Sequence, residues 1–184
     1  MKFASIPIAC AFFLVAGSPA SAQRMPAAET TAVGGDVGLF FPKDDRLDRA
    51  LDVGVFYEYY LSPRVSLRVG FSQADPEFER EDEDSFRQRR LDLSVIYNWE
   101  GGKIHPFVGA GFGAYFLQLK DNGESFGDGE TKAGVSLGGG IEYFTSRTVS
   151  VKGEGRYHVV NNDDLPFGLD PSGLSVMVGL KAYF

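Results

Sequence analysis

From residue 50 to residue 61 the chain reads ALDVGVFYEYYL, and every second residue is apolar: Leu51, Val53, Val55, Tyr57, Tyr59 and Leu61. Asp52, Gly54, Phe56, Glu58 and Tyr60 stand between them. Side chains alternate between the two faces of a strand, so this pattern gives a strand with one apolar and one mixed face. Seven further stretches repeat it: about 31–41, 64–73, 87–99, 104–119, 131–144, 148–160 and 174–184. No stretch carries a sustained helical period with caps. In 104–119, Phe107, Leu117 and Leu119 fall on the glycine face, which predicts a bulge there.

The connections alternate in length. Segments 42–49, 74–86, 120–130 and 161–173 are long, whereas 62–63, 100–103 and 145–147 are short. Short turns at one end and long loops at the other fit a barrel crossing an outer membrane. The expected fold is all-β, an eight-stranded antiparallel up-and-down transmembrane β-barrel over residues 31–184, with both termini at the short-turn, periplasmic end.

A soluble barrel would turn its apolar face inward. Here the other face carries glycines and a compact mixture of charges. Asp36, Asp52, Glu58, Asp92, Glu142 and Glu154 stand against Arg68, Arg90, Lys152, Arg156 and Lys181. Such near-balance suits a narrow lumen in which opposite charges pair. Asp36, Glu58, Arg68, Asp92, Glu142, Lys152, Glu154, Arg156 and Lys181 are the expected lumen charge network, with Lys181 meeting Asp36, Asp92 or Glu142. The apolar face should meet lipid, where a cation at mid-depth costs about 2–4 kcal/mol. Tyr59, Trp99, Tyr143 and Phe184 should form one aromatic girdle and Phe41, Phe71, Phe116 and Tyr157 the other.

Residues 1–22 read as a cleavable secretory signal: Lys2, an apolar run from Ile6 to Gly17, then Ala20-Ser21-Ala22. Residues 23–30 are then a short periplasmic lead-in. Cys10 is the only cysteine and lies in that signal, so disulfides and thiolate chemistry are excluded from the remainder. The net charge of -7 makes nucleic acid a poor partner.

The strand HPFVGAGFGAYF, the strand GEGRYH and the terminal VGLKAYF resemble the outer-membrane protein beta-barrel family of small OmpA-like and OmpX-like porin-family proteins. The resemblance covers 32–184 and implies residence in the outer membrane. It also implies that the terminal aromatic strand is read by the barrel-insertion machinery. Gly179 and Phe184 match that signal, and Ala182 stands where the pattern prefers an aromatic residue. The expected partners are outer-membrane lipid, lipopolysaccharide and that machinery, with the protein a monomer.

Other motifs weigh less. Gly109-Ala110-Gly111-Phe112-Gly113 lacks phosphate-loop spacing and has no following helix. His158, with Ser175 on the next strand, raises a lipid A-modifying enzyme as one alternative, but no His-x-Ser pairing is present and the parity points inward. His105 is expected at the periplasmic rim, and two separated histidines make no metal site. Asp75, Glu77, Glu79, Glu81, Asp82, Glu83 and Asp84 make the second long loop acidic, and Asp121, Glu124, Asp128 and Glu130 the third. These loops read as solvated faces with a negative potential. The expected function is a structural or interaction role or a narrow porin-like channel, with no enzyme activity, cofactor or metal. A soluble periplasmic binding barrel is the rival fold.

Overall fold

The computed structural model describes residues 26–78, 81–99, 102–121, 124–162 and 168–184. The expected signal, residues 1–22, lies outside them, as do Glu79, Arg80 and the side chains at 81–84, 121, 124 and 128. The described residues form nine strands: β1 (Thr31–Pro42), β2 (Ala50–Tyr60), β3 (Val65–Ala74), β4 (Glu77–Phe78), β5 (Glu81–Asn98), β6 (Ile104–Asp121), β7 (Glu124–Phe144), β8 (Val149–Val160) and β9 (Gly173–Tyr183). Eight of these close into a cylinder in the order β1-β2-β3-β5-β6-β7-β8-β9, every neighbouring pair antiparallel. The two-residue β4 only extends the outer end of β5.

The seam joins β1 to β9, from Ala32 opposite Tyr183 to Pro42 opposite Gly173. Past the last strand residue, the Thr31 N–H donates to the Phe184 carbonyl (3.1 Å) and the Phe184 N–H to the Thr31 carbonyl (3.0 Å). The terminal strand therefore finishes by pairing, and the barrel has no open edge along its wall.

Which face points outward follows from burial. Leu51, Phe112 and Leu137 are 61%, 63% and 69% exposed, while Asp52 and Glu58 are fully buried. Apolar residues outside and charges inside invert the arrangement of a water-soluble protein. This excludes the soluble periplasmic alternative. The exposed apolar belt is bordered by Trp99, Tyr143 and Phe184 at the short-turn end and by Phe41, Phe71, Phe116 and Tyr157 at the other. Trp99 packs edge-on against Tyr97 with ring centroids 5.0 Å apart. Interfacial rings of this kind have an apolar body for lipid and a polar or polarisable edge for the headgroups.

One expectation is met at a single point, and a second needs correction. First, β6 pairs with β5 without interruption from Phe107 to Lys120, and the irregularity expected within 104–119 lies only at its outer end, against β7. Phe107 and Leu117 point into the barrel and are buried. The only register shift on the β7 side falls at Leu117/Leu119. Apolar residues on the inner face are interior packing, which parity alone cannot distinguish from a slip. Secondly, the loops expected at 74–86 and 120–130 are largely strand. β5 begins at Glu81, and β6 and β7 run out to a hairpin at Asp121 and Glu124. Above the membrane both faces of a ribbon are wet, so pairing continues there without the apolar alternation that reveals it.

Glycine supplies room inside. A Cβ on Gly38 would lie 2.0 Å from the Val176 carbonyl oxygen across the seam, whereas one on Gly153 would meet nothing within 4 Å. Gly38→Val is therefore expected to destabilise the barrel by about 1–3 kcal/mol through overpacking, while Gly153→Ala leaves it unchanged. Urea titration with heat-modifiable gel migration as the readout measures both. Equal midpoints for the two variants would contradict this account of the seam.

Candidate functional site: the charged lumen

The inward residues of each strand are every second one, and on adjacent strands they lie side by side. Charges placed this way share a space from which water is largely displaced. At the short-turn end, the Lys181 ammonium lies 2.9 Å from Glu142 and 3.1 Å from Glu58, and donates to the Tyr60 hydroxyl at 3.1 Å. The Ser150 and Tyr183 hydroxyls donate to Glu142. In the middle, Arg68 donates through Nε to Glu58 (3.0 Å) and through Nη1 to Glu154 (2.7 Å). Lys152 joins Glu154 (2.7 Å) to Asp36 (2.9 Å). Phe56 lies beneath both cations, its ring centroid 4.7 Å from the Arg68 guanidinium and 4.5 Å from the Lys152 ammonium. Further out, Arg156 bonds Glu154 (2.8 Å) and reaches Asp92 at 3.3 Å.

One chain of ion pairs thus runs Glu142, Lys181, Glu58, Arg68, Glu154, Arg156, Asp92. Of the partners expected for Lys181, only Glu142 is in contact, and Glu58 takes the other place. Asp36 lies on Lys152 and Asp92 on Arg156. Parity places a charge inside, but strand tilt and stagger decide what it meets across the lumen.

A second cluster lies nearer the long loops. Arg90 pairs with Asp52 and donates to Ser72 and Ser175, each at 2.9 Å. The Ser175 hydroxyl donates to Asp52 (2.6 Å) and lies 3.3 Å from His158 Nε2. His158 Nδ1 lies 3.0 Å from the Tyr115 hydroxyl. The carboxylate here holds the serine rather than the histidine, unlike a nucleophile–base–orienter relay. His105 is elsewhere, 3.1 Å from the Gly102 carbonyl and packed on Phe144. Among the described residues no three His, Cys, Asp or Glu side chains are grouped to hold a metal ion.

Clusters of buried apolar groups stand towards both ends of the lumen. Ala32, Tyr60, Phe144 and Tyr183 cluster at the short-turn end. At the other end Leu47 and Leu169, from the first and fourth long loops, pack with Phe86, Tyr115, Leu117 and Val160. Between the plugs a chamber of about 50 Å³ remains, bordered by Asp36, Arg68, Arg90, Asp92, Arg156 and His158. Reading the loops as polar connections missed this plug. Leu47, isolated in KDDRLDR, and Leu169, in the apolar stretch LPFGL of the fourth long loop, were its signal.

A clasp holds the two plug loops together. Lys43 pairs with Asp170 at 2.8 Å, Arg46 with Asp44, and the Asp170 N–H donates to Asp44 at 3.1 Å. Arg46 also donates to the Gly168 carbonyl (3.1 Å). The Arg46 hydrogen bond holds the Asp44 carboxyl down at about 2, against the lesser opposing effect of partial burial. Partial burial would raise Asp170, but its hydrogen bonds from Lys43 and Ser172 leave it lowered.

Gly179 faces the lumen, where a Cβ would lie 1.9 Å from Asp36 Oδ1. Its place in the terminal strand thus has a packing reason of its own. Phe184 is exposed at the short-turn rim.

A family model described as outer membrane protein beta-barrel domain matches residues 8–181. Among solved structures, the N-terminal β-barrel domain of Pseudomonas aeruginosa OprF is similar, with TM-score 0.65 and 12% identity over 86% of this chain and 100% of that one. Neisserial surface protein A has TM-score 0.64 and 13% identity, covering 84% of this chain and 96% of its own. OprG of Pseudomonas aeruginosa has TM-score 0.63 and 13% identity, covering 86% and 97%. At such identities these likenesses speak for the fold alone. No curated protein sequence matches the chain.

Removing one partner from a buried ion-pair network strands the others. Arg68→Ala leaves Glu58 and Glu154 each short of a cation and is expected to cost about 3–5 kcal/mol. Adding Glu154→Gln to Arg68→Ala should recover part of that loss. Trp99 fluorescence during urea unfolding in lipid vesicles measures both, and an Arg68→Ala midpoint equal to the parent's would contradict the network's role.

The clasp generates a pH prediction. Asp44 is depressed in the folded state, so its contribution is complete above the unfolded carboxyl value, about 3.9. It disappears as pH falls through about 2. The Asp44 carboxyl carbon signal in NMR is expected to titrate near 2 in the parent and near the ordinary value in Arg46→Ala.

Proposed function

The chain belongs to the outer membrane protein beta-barrel family, and from that premise we propose that it acts as a sealed outer-membrane barrel with a structural or surface-interaction role. The observation that carries this reading is the double closure of the lumen. Apolar plugs stand at both ends, and the space between is crossed by the chain from Glu142 to Asp92. The remaining chamber of about 50 Å³ has room for a few water molecules, not a hydrated solute path. What it presents to the outside is the clasp between Lys43, Asp44 and Arg46 and Gly168 and Asp170, beside ribbons formed by β5, β6 and β7.

An interior Ser175 committed to Asp52, and a His158 held between Tyr115 and Ser175, speak against lipid-modifying chemistry. Neither group is open to the lipid belt. In this reading Phe184 also serves as the mark read during insertion. Phe184→Ser should lower the folded yield in the outer membrane of cells, while refolding in detergent stays as in the parent.

Planar-bilayer recording tests the sealed state. The parent is expected to give no sustained conductance. Leu47→Ser with Leu169→Ser, which wets the outer plug, should give at most brief openings because the ion-paired middle remains. Steady single-channel currents from the parent would overturn the proposal and favour the channel.

A further inference from the structure

The lipid-facing wall is not uniformly ridged. Between β3 and β7 it carries a groove of about 660 Å³ bordered mainly by the apolar Val69, Leu91, Leu93, Phe112, Ala114 and Ala133, with Asp92, Thr131 and Lys132 also reaching its edge, the last paired with Glu130. The register explains it. Phe71, Leu91, Ala114 and Ala133 lie in one row across four strands. Ala114 in that row sits between Phe112 below and Phe116 above on β6, and Ala133 between Val135 and Thr131 on β7, so the surface dips where its neighbours stand out. The row beneath, Val69, Leu93, Phe112 and Val135, is fully apolar. The groove therefore opens into the apolar belt beside the long-loop girdle, whose Phe71 lies in its own row and Phe116 in the row above.

The row above the groove is different. It runs Gln73, Arg89, Phe116 and Thr131. Arg89 lies two residues beyond Leu91, about 7 Å further toward the long loops. It points outward, is exposed, and bonds only the neutral Gln73 amide oxygen at 3.0 Å. It has no carboxylate partner among the described residues. Arg87, the next outward residue, is by contrast held by Asp75 through both Nε and Nη2. A cation without a carboxylate partner among the described residues therefore stands in register with the girdle residue Phe116, next to an acyl-sized apolar groove.

We propose that this wall is a docking site for the phosphorylated, multiply acylated glycolipid of the outer leaflet, with one acyl chain in the groove and a phosphate on Arg89. The proposal deepens the outer-membrane reading in one respect: it needs the long-loop end to face outward. It does not depend on whether the lumen is sealed. The apolar groove selects a chain, and the cation above it selects an anionic headgroup. Gln73 beside that cation adds a further hydrogen-bonding group. Phosphatidylglycerol offers chains with one diester charge, whereas a lipid A headgroup offers exposed phosphate monoesters, the better match for a guanidinium.

Native mass spectrometry of the purified protein tests this, with bisphosphorylated lipid A and phosphatidylglycerol supplied at equal concentration. The parent should retain one lipid A in preference. Arg89→Gln should reduce that preference about fivefold, the effect of one cation beside an anionic lipid surface. Arg89→Lys should keep most of it. Ala133→Phe fills the groove and should remove retention of both lipids. Val37→Phe, on β1 across the barrel, should change nothing. Heat-modifiable migration checks that each variant is folded. Equal retention of the two lipids by the parent overturns the proposal, as does unchanged retention in Arg89→Gln and Ala133→Phe together. A dimer that Ala133→Phe dissociates, without lipid retention, assigns the groove to a second copy and also overturns it. None of these results bears on conductance, so the sealed-barrel reading stands or falls separately.

Discussion

Every backbone N–H and C=O that faces a lipid interior must find its partner within the protein. In this chain that requirement is met at the seam between β1 and β9. Eleven residues of β1, Ala32 to Pro42, pair with eleven of β9. Without that contact two strands would present bare edges to hydrocarbon, at several kcal/mol for each unmet group. The seam in turn fixes the cylinder, and the cylinder fixes which side chains share the lumen. Gly38, Gly179 and Asp36 lie at or beside this seam, which is why their sizes matter as much as their polarity.

The lumen follows from the closure. Once the apolar face is committed to lipid, the other face must be polar, small or both. Charges enclosed in so narrow a space cost heavily unless paired, and the pairing here is cooperative. Arg68 alone connects Glu58 on β2 with Glu154 on β8, and Lys181 connects Glu58 with Glu142 on β7. Three of these four bonds, all but Arg68–Glu58, span strands that are not neighbours, so they brace the barrel across its width as well as along its wall. Phe56 and Phe107 fill the gaps beside Arg68, giving the guanidinium aromatic faces as well as carboxylates. Buried apolar clusters stand beyond the network towards either end.

Much of this was legible in the chain. Alternation over Ala50–Tyr60 placed Asp52 and Glu58 inside and Leu51 and Val55 outside, because a period of two admits only one inversion and lipid forbids it. The long and short connections placed both termini at one end. What was not legible has physical causes. Partners across the lumen, such as Glu58 for Lys181, depend on tilt and stagger, which a single strand does not encode. The extension of β5, β6 and β7 beyond the membrane leaves no apolar pattern, since both faces meet water. Leu47 and Leu169 come together from the first and fourth long loops, and their shared cluster exists only after closure. Phe107 looked like a register slip for the same reason.

The central claim is that β9 lies in the wall with Val176 and Val178 toward lipid and Ser175 and Met177 toward the lumen. Since Cys10 is the only native cysteine, its replacement leaves a background for single-cysteine spin labels at those four positions. Collision with oxygen, which concentrates in hydrocarbon, should be high at 176 and 178 and low at 175 and 177, in the parent barrel reconstituted in bilayers. A reversed alternation, or none, would contradict the account from the seam upward.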